Sequence, residues 1–479
     1  MAVNSFYLGT FVVYLLVVLG VGAWGYTKTN DVDDFWVYGK GLGPWLATWS
    51  YVANFVSAVS VIGFIGAVYG GGYSVLTGII LGLMLGVSGL YFVVHKVREL
   101  DHVTFPDIIA ELTGKEWARP VAAVPLLANA WVYLIMQLVG ASLLVTTITG
   151  VPYKYMIWVI GVVFIAYTVM GGLISVAWTD LMQGTVMVAT VFAALAFMAM
   201  DLGGLGTINA QFAAQNTANV APLGDGAYTL IGVVGSLVAF FGTIFTSQGT
   251  IVRINATKDI RTAKIHVAAA GVILSTFYAA LIWLGGATAV ALENAGMAVD
   301  NVDQAFPVLI TEYLPTGVGI IVILAVMSAI LSTTDTRLHS TGITTARDIY
   351  EYFRPDASDR TLLKVSRIST VFWGITATAI AVDPPGTIIA LYTFRAILLT
   401  SAFLIPIYVA LYWKGVSGTA VLASIIAGTV LGVSWDVSGG YLGIPATFVG
   451  VGAALLALGV GHVIWKDSES IQPGTAAGE

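Results

Sequence analysis

The chain has 479 residues, of which 58% are hydrophobic and 10% charged, with a formal net charge of −6 and a mean hydropathy of +0.89. This composition excludes a water-soluble globular protein, because apolar runs recur along the whole length and too little polar surface is left to cover them. Zero cysteines exclude disulfides, thiolate catalysis and cysteine metal sites, and five scattered histidines leave little for a zinc or haem centre, so enzyme chemistry is not expected.

Stretches of about 20 apolar residues predict about thirteen transmembrane helices, an all-α polytopic membrane protein. In chain order they fall near 6–26, 44–69, 73–95, 119–148, 153–171, 174–201, 228–251, 265–292, 316–346, 361–381, 386–413, 417–437 and 443–465. The first is expected to stay as a helix and not to be a cleaved signal, since no basic region leads it and further spans follow. Residues 1–465 then form a single membrane domain, followed by a short tail at 466–479. If the N-terminus is outside, seventeen of the twenty Lys and Arg residues fall on the cytoplasmic side, Lys154 falls outside, and Arg337 and Arg395 fall within spans. That places the C-terminus in the cytoplasm and the protein in the plasma membrane as a multi-pass protein. Lipid is its surrounding partner, with no nucleic acid and no obligate protein partner evident.

Two spans carry polar residues and glycines where leucines are expected. The second has Asn54, Ser57, Ser60, Gly63 and Gly66 at its centre, and five spans later the helix at 228–251 carries Gly235, Gly242, Thr243, Thr246, Ser247 and Gly249. Two interrupted helices at that separation are what an inverted repeat of five plus five helices produces, with ligand sites at the breaks. Small residues also permit close helix packing, which is the competing explanation for each helix alone. A third cluster, Ser332, Thr333, Thr334, Asp335 and Thr336, lies inside the apolar stretch 316–346, where hydroxyls and a carboxylate are expensive unless they bind something.

Several motifs in order resemble the sodium:solute symporter family: Lys40-Gly-Leu-Gly-Pro-Trp through Asn54-Phe-Val-Ser-Ala58, Gly171-Gly-Leu-Ile-Ser through Asp180-Leu-Met-Gln-Gly184, Val252-Arg253 with Lys258, and Ser332-Thr333 through Asp348-Ile-Tyr350. The resemblance extends from the first helix to about residue 465. Its local wording is similar to the pantothenate, proline and monocarboxylate carriers more than to the sugar carriers. It implies a LeuT-like fold with repeat one at about 44–201, repeat two at about 228–413, one extra helix before and two after. It implies Na+-coupled symport of a small organic solute by alternating access.

The resemblance maps a Na+ site onto the carbonyls of Ala53, Val56 and Ala329 and the hydroxyls of Ser332 and Thr333. Ala329, Ser332 and Thr333 stand at i, i+3 and i+4, on one helical face. Ser and Thr can instead bond back to carbonyls one turn earlier. Proline-type members carry an Asp at the position of Phe55, so a carboxylate is missing there. Asp180, which matches an acidic position of many members, and Asp335 are candidates for a second cation or proton locus, with Arg337 or His339 as alternative basic partners.

Arg395 is expected near mid-membrane, where a guanidinium needs an anion. It is the candidate for binding an acidic solute, against the alternatives of a permanent ion pair with an internal carboxylate or of a residue that lines a wet cavity and touches no substrate. The resemblance also places Gln137, Asn54, Phe240, Thr243 and Thr393 near the solute. Other classes considered are a proton-coupled carrier of the same fold, a membrane sensor with a separate signalling partner, a channel, and a membrane enzyme, which lacks a credible nucleophile, base and metal set.

Overall fold

The computed structural model describes residues 5–26, 43–99, 104–255, 257–413 and 415–465, which are helical apart from short connections, with no β-strand among them. The tail expected at 466–479 lies outside the described residues. The main helices are α1 (Ser5–Tyr26), α2 (Pro44–Phe55), α3 (Val59–Gly71), α4 (Thr77–Glu99), α5 (Phe105–Thr113), α6 (Ala118–Thr149), α7 (Tyr153–Asp201) and α8 (Leu205–Gln215). They continue as α9 (Leu230–Thr246), α10 (Gln248–Asn255), α11 (Ile260–Asn294), α12 (Thr316–Phe353), α13 (Asp359–Ala381), α14 (Ile388–Tyr412), α15 (Gly418–Val437) and α16 (Ala446–Ile464). Large apolar side chains such as Phe92, Val124, Ile321 and Val463 face outward from these helices, as a hydrocarbon solvent requires.

Among the described residues, eight helices are long and apolar enough to cross a membrane, and two bent pairs bring the number to ten. One difference from the thirteen expected spans is α7, a single helical segment of 49 residues covering both 153–171 and 174–201. Gly171 and Gly172 mark the expected boundary, but no proline and no polar loop separates the two apolar runs, so internal backbone bonding continues through them.

Both interrupted helices are present. The α2–α3 pair is bent by 54° and the α9–α10 pair by 45°. At the first break Val56 turns to an extended conformation (φ −87, ψ 111), and at the second Ser247 does the same (φ −75, ψ 120). Such breaks are tolerated at membrane depth only when neighbours satisfy the freed backbone groups. Tyr278 of α11 donates its hydroxyl to the carbonyl of Phe55 at 3.5 Å, and Tyr408 of α14 does likewise to Phe245 at 3.0 Å. The amide of Ala58 donates to Oε1 of Gln137 on α6 at 3.0 Å. Arg253 of α10 ties the two broken spans together, donating from Nε to the carbonyl of Ser50 at 2.9 Å and from Nη1 to its own helix at Gly249 at 3.2 Å.

One end of the bundle is closed by charge. Arg119 at the start of α6 meets Asp107 of α5 at 3.3 Å, Asp348 at 3.6 Å and Glu351 at 3.4 Å, and Arg347 meets Asp107 at 3.2 Å. These groups join α5 and α6 to the last turns of α12, where the backbone widens into a π turn at Thr344–Tyr350. At the other end the segment 302–304 sits against α3 and α14. Gly66 makes that seat, since a Cβ there would stand 2.5 Å from the Val302 carbonyl oxygen, and Oδ2 of the buried Asp303 accepts the amide of Ile388, the first residue of α14, at 2.9 Å.

Candidate functional site

The functional site lies where the two breaks face α12, α6 and α14. Its first part joins α12 to the first break. Ala329, Thr333 and Arg337 fall on successive turns of one face of α12, at i, i+4 and i+8. Thr333 Oγ1 donates to the carbonyl of Ala329 in a short hydrogen bond and stands 3.4 Å from the carbonyl oxygen of Val56. Three oxygens therefore converge with a single proton among them, an electron-rich arrangement that suits a small hard cation. Of the residues expected from the sequence, Val56, Ala329 and Thr333 meet here; Ala53 and Ser332 are buried as well, and Gly184 of α7 packs against Ala53 closely enough that a Cβ there would stand 3.0 Å away. The back-bond from Thr333 to Ala329 and the approach to Val56 coexist, so the two explanations offered for this hydroxyl are not exclusive.

The second part is a cavity enclosing about 350 Å³ of space free of atoms, lined from the breaks by Asn54, Phe55, Ser57, Ser60, Thr243 and Ser247, and from the surrounding helices by Tyr133, Arg337, Tyr392 and Arg395. Arg395 is 3% exposed; its Nε donates to Oδ1 of Asn129 at 2.8 Å, and its guanidinium lies 5.0 Å from the ring of Tyr133 and 5.2 Å from that of Tyr392. Arg337 is 7% exposed; its Nη2 donates to Oδ1 of Asn54 at 3.3 Å, and its guanidinium lies 5.1 Å from the same Tyr133 ring. Neither arginine has a carboxylate within ion-pair distance among the described residues.

Among the described residues, then, no internal carboxylate forms a permanent ion pair with Arg395. Of the two basic partners considered for the carboxylates, Arg337 or His339, Arg337 is not within ion-pair distance of Asp335. Residues two apart on a helix point about 200° away from each other, so Arg337 faces the broken span and Asp335 does not. Asp335 is buried, and its Oδ1 accepts the amide of Thr336 at 2.6 Å. The side chain of Asp180 lies outside the described residues.

The other residues expected near the solute divide. Asn54 and Thr243 line the cavity. Phe240 is fully buried behind it, its ring 4.9 Å from Tyr392. Gln137 commits its oxygen to the amide of Ala58 and so holds the break open. Thr393 bonds back to Ile389 at 3.0 Å on a half-buried face of α14, away from the cavity. Sequence reasoning missed Tyr133, Tyr392 and Asn129, and it did not place Arg337 in the cavity, although the spacing 329, 333, 337 contained that signal.

A helical bundle with paired breaks, an oxygen cluster at one of them and a polar, cationic cavity beside it defines a secondary transporter. The model of the sodium:solute symporter family matches residues 35–428, and the chain belongs to that family, whose members are transporters and not enzymes. Among its relatives, the osmoregulated proline transporter OpuE of Bacillus subtilis is 26% identical over 89% of this chain and 88% of its own length. The sodium/pantothenate symporter of Haemophilus influenzae is 28% identical over 87% of each chain. Among solved structures, a Na+-coupled sialic acid symporter in a substrate-bound outward-open state superposes with a TM-score of 0.79, at 18% identity, covering 97% of this chain and 99% of the other. MhsT in complex with L-phenylalanine superposes with a TM-score of 0.52, at 15% identity, covering 89% and 99%. These likenesses show the fold.

Proposed function

We propose that the protein is a Na+-coupled symporter that imports a small, carboxylate-bearing solute by alternating access. The observation that carries this reading is the adjacency of two complementary sites: an oxygen cluster fit for a cation at Thr333 and Val56, and a cavity with a buried guanidinium, Arg395, that lacks an anion. Na+ held by the carbonyls of Ala53, Val56 and Ala329 and the hydroxyls of Ser332 and Thr333 pins the first break to α12 and favours the outward-open arrangement. The solute carboxylate then neutralises Arg395, whose planar fork is poised by Asn129 and the tyrosines. Rocking of the bundle exposes both ligands to the cytoplasm. No phosphate-cradling Gly-Lys-Ser/Thr loop occurs in the sequence, so coupling rests on ligand binding alone.

The same reading takes residues 1–465 as one transport domain in the plasma membrane, with the N-terminus outside, the charged end at Arg119 and Arg347 cytoplasmic, and repeats at about 44–201 and 228–413. It takes the chain to reverse direction within α7 and so to cross twice, because 49 residues at about 1.5 Å each make about 73 Å, too long for one crossing of a hydrocarbon layer of about 30 Å. The activities of the proline and pantothenate relatives, both of which act on solutes bearing a carboxylate, support the substrate class.

The test is uptake by proteoliposomes under an imposed inward Na+ gradient, against a panel of monocarboxylates, dicarboxylates, pantothenate, proline and sugars. The reading requires saturable, Na+-dependent accumulation of a carboxylate that Arg395→Gln abolishes. Accumulation at full rate in Na+-free vesicles, or of a neutral sugar alone, contradicts it.

A further inference from the structure

We propose that the solute is a dianion, a short dicarboxylate whose two acidic groups are taken separately by Arg395 and Arg337; this rests on the reading of the cavity as a carboxylate site. Two guanidinium groups line one small cavity, each more than nine-tenths buried, and no carboxylate among the described residues pairs with either. Their protein partners are neutral. Asn129 takes one N–H of Arg395 and Asn54 takes one of Arg337, while each guanidinium carries five. The Nε of Arg337 is buried with no hydrogen-bond partner.

Burying a charge without an opposite charge is costly, and the attraction of the Tyr133 ring offsets only part of that cost. A monocarboxylate compensates one arginine and leaves the other as it was. A dicarboxylate compensates both and supplies an acceptor for the unpartnered Arg337 Nε.

Geometry limits the length of such a solute. Both guanidinium carbons lie within 5.1 Å of one ring centroid, so they are no more than about 10 Å apart. A paired carboxylate carbon sits about 4 Å from each guanidinium carbon, so at that separation only a short diacid, meeting the two arginines at an angle and not along their line of centres, can bridge both. The hydroxyls of Ser57, Ser60 and Thr243 in the cavity lining can bond polar substituents on such a diacid.

The experiment compares Na+-driven uptake of radiolabelled succinate and butyrate, equal in carbon number, by proteoliposomes of the full chain. Wild type is expected to half-saturate with succinate at about 30-fold or more lower concentration than with butyrate. In Arg337→Gln that ratio should fall to about 3 or less through weakened succinate uptake, and Arg337→Lys should restore part of it. Folding is checked by monodispersity in detergent, and the wild-type ratio is informative even if a variant fails to fold. Equal handling of butyrate and succinate by wild type, with or without chloride, overturns the proposal, as does an undiminished succinate preference in Arg337→Gln. If butyrate or pantothenate is accumulated in an Arg395-dependent way and succinate is not, the dianion falls and the carboxylate reading stands. If only neutral solutes are accumulated, both fall.

Discussion

Thr333 Oγ1 lies 3.4 Å from the carbonyl oxygen of Val56, across the gap between an unbroken helix and the extended turn that interrupts its neighbour. One helical turn further along the same face of α12, Arg337 reaches Asn54 on the near side of that turn. A single face of α12 therefore touches both the oxygen cluster and the cationic cavity. Ligands at the two sites would share that face, which is the physical contact that coupled transport needs.

Asn129 holds Arg395 without neutralising it, so its role is to aim the guanidinium. Asn129→Leu removes a hydrogen bond to a charged group, worth about 1.5–3 kcal/mol. The half-saturation concentration of the transported carboxylate should rise about 10-fold or more, while Na+ binding in the absence of solute stays unchanged. Uptake kinetics and Na+ titration of the same preparation check the two halves of that statement.

Much of this arrangement was legible in the amino-acid order, because polar residues in a hydrocarbon setting stand out. Asn54, Ser57 and Ser60 marked the first break, Thr243 to Gly249 the second, and Ser332 and Thr333 the face of α12. Arg395 stood out for the same reason. Tyr133 and Tyr392 did not, since an aromatic ring in a membrane helix gives the same signal whether it packs against lipid, helix or guanidinium. Gln137 was expected beside the solute, and its use as a cap for Ala58 depends on where the broken helix passes α6, which no spacing within α6 reveals. The continuous α7 went unseen because two glycines look like a boundary, while helical bonding needs a stronger stop than that.

The segment 302–304 supplies a pH dependence. Burial pushes the Asp303 carboxyl up to about 6, partly opposed by the hydrogen bond from the Ile388 amide. A carboxyl whose folded pKa lies above its unfolded one binds protons more tightly when folded, so its contribution to stability is fully present below about pH 4 and is lost as pH rises to about 6. Asp303→Asn keeps an acceptor for Ile388 and removes the buried charge. The variant should unfold at higher temperature than wild type at pH 7.5, by an amount on the order of 1–3 kcal/mol, and the difference should shrink as pH falls from 6 to 4. Thermal unfolding in detergent across that range is the measurement; a wild-type profile flat over pH 4–6 goes against it.

Gly66 is required by the approach of the Val302 backbone and not by its own conformation. Gly66→Ala places a methyl 2.5 Å from the Val302 carbonyl oxygen, so the segment that closes this end of the bundle must shift. A loss of about 1–3 kcal/mol and a melting temperature lower by a few degrees are expected. Gly452→Ala, where an added methyl meets nothing within 4 Å inside a helix, should not lower the melting temperature and serves as the control.

The central claim concerns Na+ at the junction of Val56 with Thr333, and it can be measured with no knowledge of the solute. Equilibrium binding of 22Na+ to purified protein, wild type against the double variant Ser332→Ala with Thr333→Val, reads it directly. The account predicts saturable binding to wild type and half-saturation raised at least about 10-fold, or lost, in the double variant, with both proteins monodisperse. Undiminished 22Na+ binding after both hydroxyls are gone would contradict it.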